Sequence, residues 1–165
     1  MAITPGKPLL PADLYRPMCC VVQQAAQTGW TTGAATAVTF GTGSEVVDTD
    51  SLHNESSNTS RIVIGGKLGW WQISGNFCPA TNAAATSLRS ILYLNGVAIN
   101  GSFGGATGAS SFLGVPTPAI TVRATSATDY VELYGLVVAA SGTLGTSISA
   151  PYVASSLTAI YLRDA

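Results

Sequence analysis

Histidine occurs once in the chain, at position 53. Asp48 and Asp50 lie close by and serines are abundant, so the residue types of a serine–histidine–aspartate relay are present. Such a relay displays its serine on a strained turn of the G-x-S-x-G kind, and no such motif occurs. His53 also stands in a polar stretch, not after an apolar strand. Glycoside hydrolysis needs two acids across a cleft. With eight acids in the whole chain, Glu45 and Glu55 in polar loops do not suggest one. Asp48, Asp50, Asn54 and Glu55 place hard oxygen donors within eight residues, a set that suits Ca²⁺. The spacing is not that of an EF-hand, and no glycine stands where its loop would need one. Asp48, Asp50 and Glu55 are thus weak metal candidates, and a solvated loop is the plainer reading. The expectation is no catalysis, no cofactor and no resident metal.

The other reactive types say less. Cys19, Cys20 and Cys78 are odd in number, and adjacent strand residues point to opposite faces, so Cys19 and Cys20 should not pair. They read as small buried thiols. The sequons at Asn54, Asn58 and Asn100 arise easily by chance in a chain this rich in Ser, Thr and Asn. Trp30, Trp70 and Phe112 are the aromatics that could stack on a sugar, although Trp70 suits a subunit contact equally well.

Composition narrows the class. Charged residues make up 9% of the 165 positions, against about 25% in an average soluble protein. Seven basic residues spread along the chain make no stripe for nucleic acid. An apolar fraction of 47% is wrong for a disordered chain. The longest apolar stretch, Tyr130 to Ala140, contains Glu132 and Gly135 and is too short for a membrane span of about 20 residues. Met1 to Leu10 contains two prolines and no apolar core of a signal peptide, so no leader is expected. A chain so poor in charge either coats itself in Ser, Thr and Asn or hides surface in an assembly, and both are expected here.

Residues 1–16 form a first unit, with Pro5, Pro8 and Pro11 at the three-residue repeat of polyproline II. This reads as an extended arm, and Leu9, Leu10, Leu14 and Tyr15 give it an apolar side that wants a surface to lie on. Residues 17–165 read as one all-β domain. Strands are expected at 18–24, 37–40, 61–64, 68–77, 88–94, 97–100, 120–124, 130–139 and 156–162, with an Asn95-Gly96 hairpin. No window sustains a 3.6-residue apolar period. Gly101 to Gly114 reads as a long, mobile, small-residue loop.

Alternation sorts the strand faces. Trp71, Ile73, Gly75 and Phe77 share one face, and Trp70, Gln72, Ser74 and Asn76 share the other. Val131, Leu133, Val137 and Ala139 face the core, yet Tyr130, Tyr134, Leu136 and Val138 on the opposite face are also apolar, with the single acid Glu132 among them. The final strand is apolar on both faces too. A sandwich strand normally has one wet face, so the second face is expected to pack on another subunit, through Tyr134, Leu136, Val138, Ile160 and Leu162.

These residues resemble a known family. Gly69-x-Trp71-x-Ile73-x-Gly75-x-Phe77 is similar to the G-x-Y-x-I-x-G-x-F strand of the C1q/TNF-like jelly roll, with Trp in place of Tyr. Arg89 and the Ile91 to Gly96 run resemble its arginine-led strand, Asp129-Tyr130-Val131-Glu132-Leu133 its G-D-Y-V-E-L motif, and Ser156-Leu157-x-Ala159 its closing strand. Thr128 stands where the family usually has Gly. The resemblance runs from about Met18 to Leu162 and implies a sandwich of about ten strands and a homotrimer.

The stretch Asp48 to Arg61, with Leu52-His53-Asn54 and Asn58-x-x-Arg61, is similar to C1q-like domains of bacteriophage virion proteins. That likeness implies a virion structural part: a capsid decoration, or cement, protein bound to the major capsid protein or another virion protein through its arm, at Leu9, Leu10, Leu14 and Tyr15. The alternative is a tail-tip or fibre module that recognises a host surface glycan. A secreted C1q-like ligand is disfavoured by the lack of a leader.

Overall fold

The computed structural model describes residues 15–108, 114–148 and 154–164. Leu9, Leu10, Leu14 and Phe112 lie outside the described residues. Among the described residues there are twelve strands and no helix: β1 (Met18–Val22), β2 (Thr36–Ala37), β3 (Glu45–Asp48), β4 (Arg61–Val63), β5 (Gly69–Phe77), β6 (Ala85–Leu94), β7 (Val97–Ala98), β8 (Gly104–Thr107), β9 (Val115–Pro116), β10 (Ile120–Ala124), β11 (Tyr130–Ala139) and β12 (Ser156–Arg163).

Among the described residues every strand pairing is antiparallel, and the strands divide between two sheets. One runs β10-β5-β12-β1-β3, with β9 also on β5. The other runs β2-β11-β6-β7, with β4 on β11 and β8 on β6. The inward residues of the long strands meet between them. Trp71, Ile73 and Phe77 from β5 pack with Leu88 and Leu92 from β6, Val131 and Leu133 from β11, and Leu157 and Ala159 from β12, all buried. This is the period-2 reading of the sequence carried into two facing layers. Asn95 and Gly96 both take positive φ, 52° and 76°, the pair a type I′ hairpin requires. They set the β6–β7 register, Tyr93 to Ala98 and Leu94 to Val97.

The structure corrects several sequence expectations. The stretch Gly101 to Gly114 is not one long loop, since residues 104–107 form β8 against Ser87–Ser90 of β6. Glu45 lies in strand β3, not in a loop. The strand expected at 37–40 is the short β2, although Val38 and Phe40 beyond it are fully buried. β1 ends at Val22, and Gln23 turns inward as a buried polar residue.

β8 owes its place to a missing side chain. A Cβ at Gly104 would overlap the Pro116 carbonyl and the Ser90 hydroxyl, and a backbone neighbour cannot swing aside. Gly104→Ala is therefore expected to cost about 2–3 kcal/mol, at the upper end of overpacking. A urea melt reads this as a lowered midpoint; an unchanged midpoint would place β8 farther from β9 than described.

Candidate interaction surfaces

The loop acids do not converge on a cation. Asp48 accepts the backbone N–H of Leu52 at 2.9 Å and of His53 at 2.8 Å. Asp50 Oδ2 accepts the Thr49 hydroxyl at 2.8 Å and lies 2.9 Å from the Tyr15 hydroxyl. Asn54 Oδ1 accepts the N–H groups of Ser56 and Ser57. Glu55 accepts the Glu45 N–H at 3.2 Å, and backbone hydrogen bonds, from Gly43 first and then Glu45 and Ser44, hold its carboxyl below the ordinary range against desolvation. Short polar side chains are folding their own loop here, and no group of three metal-ligating residues forms among the described residues. In this arrangement Asp48, Asp50 and Glu55 act as braces of their own loop.

His53 is no better placed for catalysis. It is buried, and its two ring nitrogens lie 2.8 Å from the carbonyl oxygens of Arg61 and Phe40. The nearest hydroxyl, Ser44 at 3.4 Å, is also buried. Neither ring nitrogen meets a carboxylate, which a relay needs.

The outward faces of the two sheets differ in chemistry. On the β11 sheet, Tyr93 and Tyr134 stack with centroids 3.8 Å apart, and the Arg61 guanidinium lies 4.0 Å over the Tyr130 ring. Glu132, though on this outer face, is 4% exposed. It accepts the Ser60 hydroxyl at 2.7 Å and Arg61 Nε at 3.3 Å. Desolvation, with Glu132 next in weight, pushes the Tyr134 hydroxyl up. Leu136 is registered with Arg89, which lies over Phe103, and Val138 with Ser87. This surface is aromatic and charged, and its groups satisfy one another. The Arg61–Glu132–Tyr130 cluster escaped the sequence reading, yet one signal for it was visible: a lone acid on an otherwise apolar strand face requires a cationic partner.

The other outer face carries no such charges. Met18, Cys20 and Val22 of β1 register with Ile160, Thr158 and Ser156 of β12. Ile160, Thr158 and Ser156 in turn register with Gln72, Ser74 and Asn76 of β5, and Cys20 with Val47 of β3. None of these outward positions is charged. Arg123 and Arg163 stand at one end, both registered with Trp70.

The residues expected at one subunit contact are therefore divided. Tyr134, Leu136 and Val138 lie on the outer face of the β11 sheet, and Ile160 and Leu162 on the outer face of the other. The sugar-stacking candidates are also reassigned in part. Trp30 lies flat on Phe77 with centroids 5.6 Å apart and packs against the core. Trp70 is half-buried on the outer face of the β5 sheet, registered with Arg123 and Arg163.

The end where the arm enters is braced. Tyr15 lies 2.9 Å from the Thr49 carbonyl oxygen as well as from Asp50, while its ring stays half exposed. A cleft of about 320 Å³ opens beside it, lined by Tyr15, Pro17, Asp50, Leu52, Gly66 and Lys67. Nearby, buried Asp129 accepts the N–H groups of Thr125 and Ser126 and the Asn95 amide. Desolvation opposes its ionisation, and these hydrogen bonds outweigh it, leaving the carboxyl below its ordinary range. Thr128 in place of the family's usual Gly leaves this turn closed by an Asp129 N–H to Ser126 carbonyl bond of 3.1 Å.

No protein-family model matches the chain, and no curated protein matches it in sequence. Solved structures do match in shape. The globular domain of zebrafish complement 1qA protein aligns with TM-score 0.54 and 13% identity, over 90% of this chain and 97% of that one. Murine APRIL, crystallised at pH 8.0, aligns with TM-score 0.62 and 9% identity, over 90% of this chain and all of that one. Its pH 5.0 form aligns with TM-score 0.60 and 10% identity over the same share of this chain. The twelve strands in two facing sheets, without a helix among the described residues, are those of a C1q/TNF-like jelly roll.

Proposed function

We propose that the protein is a non-enzymatic structural part of a phage virion: a homotrimeric capsid decoration protein that binds the major capsid protein, or another virion protein, through its N-terminal arm. The observation that carries the assembly is the outer face of β1, β12 and β5, which is uncharged up to the arginines at its Trp70 end. A surface with Met18, Cys20, Val22, Ile160 and Leu162 and no charged side chain among them is what an obligate subunit contact requires. The trimer is the one implied by the family resemblance. The virion setting is supported by the Asp48 to Arg61 likeness and by an apolar, proline-stiffened arm ahead of a closed body.

The moored Tyr15 fits this reading, because it fixes where the arm leaves. From there, fourteen residues at ~3.1 Å each reach roughly 40 Å, enough to cross onto a neighbouring subunit. Stiff segments lose little entropy on docking. Three arms on one trimer bind with avidity if their docking sites match its geometry. The tail-tip alternative gains no support from Trp30, whose ring face is taken by Phe77.

The test is deletion of residues 2–14, keeping Tyr15. The truncated protein is expected to remain a trimer and to lose binding to particles that lack the protein. Undiminished binding would move attachment from the arm to the body.

A further inference from the structure

The one histidine is held between acceptors. His53 is 6% exposed. Its Nδ1 lies 2.8 Å from the Arg61 carbonyl oxygen at the start of β4, and its Nε2 lies 2.8 Å from the Phe40 carbonyl oxygen. Both partners are acceptors only. A neutral imidazole carries a single N–H, so either tautomer would press a ring lone pair against a carbonyl oxygen at hydrogen-bond distance. The Ser44 hydroxyl, 3.4 Å from Nε2, does not relieve this, because the Phe40 oxygen is closer and occupies the same nitrogen. With both nitrogens protonated, both contacts become charge-assisted hydrogen bonds.

We infer that His53 is an imidazolium in the folded protein and acts as a proton-dependent latch that ties β4 to the turn at residues 40–44.

The surroundings agree. Within the histidine's own loop, Glu55 reaches the Ser44 hydroxyl at 3.5 Å and so stands one hydroxyl away from the ring. From β3, Asp48 accepts the His53 backbone N–H, and Glu45 gives its own N–H to Glu55. From β1, the buried Cys19 thiol is registered with Asp48 and is pushed far up, first by desolvation, so it stays neutral. From β4, Arg61 offers its carbonyl, while its guanidinium turns to Glu132 and the Tyr130 ring. Glu55, through the Ser44 hydroxyl, is the carboxylate that these contacts bring toward the ring.

The sign of the pH dependence follows. The proton is bound in the fold, so the latch contributes fully where the unfolded chain also keeps its imidazole charged, below about pH 6.5. That contribution fades as pH rises and the folded latch loses its proton.

Because the chain has a single histidine, long-range ¹⁵N NMR of the labelled full-length protein reports this ring alone. At pH 7.5 both ring nitrogens are expected at imidazolium positions, although a free imidazole would be about nine-tenths neutral there. A neutral-tautomer pattern at pH 7.5 overturns the inference. As a second measurement, wild type should melt above His53→Gln by a margin that shrinks on the order of 3–5 °C between pH 6 and pH 9. A margin independent of pH overturns it equally. If His53→Gln does not fold, the wild-type nitrogen spectrum decides alone.

Discussion

Trp71→Ala is expected to remove about 3–5 kcal/mol of stability. Trp71 has no exposed surface. Its neighbours across the sheet are Val122 on β10 and Tyr161 on β12. Tyr161 meets the indole edge-on, with centroids 5.3 Å apart, and is itself tied down through its hydroxyl to Leu68 and Asp164. The indole Nε1 donates to the Lys67 carbonyl at 3.0 Å, which fixes the turn before β5. Truncation therefore opens a cavity, leaves that carbonyl without its donor and removes the wall on which Tyr161 rests. Against a total of about 5–15 kcal/mol for a domain, such a loss consumes much of the margin. Chemical denaturation measures it. Trp70→Ala is the internal control, because the neighbouring ring faces outward. If Trp70→Ala proved the more costly of the two, the β5 register would be off by one residue, which exchanges the faces.

The long strands were legible because they carry the period themselves. In β5 and β11 the buried positions follow the alternation of large apolar side chains almost residue by residue. β8 was not legible, because Gly104-Gly105-Ala106-Thr107 has no large side chain to alternate. It is a strand only because β6 offers an edge and Gly104 tolerates the close approach of Pro116. β3 has Val46 and Val47 between two acids, and its order comes from Cys19, Cys20 and Val21 alongside. Such pairings connect residues far apart in sequence and leave no local trace.

The candidate surfaces divide in the same way. Both β11 and β12 read as strands with two apolar faces, and both do have half-buried outer faces. Their membership of different sheets is a matter of topology, and alternation within a strand cannot register it. The acids at 48, 50 and 55 show the converse limit. Carboxylates spaced closely in sequence suit a cation or their own backbone N–H groups, and the choice lies in φ and ψ. Ser51 at φ 54° and Asn58 at φ 51° are part of the loop that turns the donors inward.

Ile160→Asp is expected to convert the proposed trimer into a folded monomer. Ile160 lies on the uncharged face, registered with Met18 on one side and Gln72 on the other. In an isolated chain its side chain is only half-buried, so an aspartate there can keep its water and the sandwich should still fold. In a trimer closed over this face, each subunit would bury an unpaired carboxylate, at several kcal/mol apiece. Its direct cross-strand neighbours offer no cation, and Arg123 and Arg163 stand one pair farther along, beside Trp70. Leu136→Asp supplies the contrast. Its outer face already holds Arg61, Arg89 and Glu132, and the new carboxylate would be registered with Arg89, so assembly should survive. Light scattering at micromolar concentration is expected to give three chain masses for wild type and Leu136→Asp, and one for Ile160→Asp with its near-wild-type circular dichroism. The reverse pattern, a trimeric Ile160→Asp beside a monomeric Leu136→Asp, would move the subunit contact to the β11 face and make the tyrosine cluster part of it.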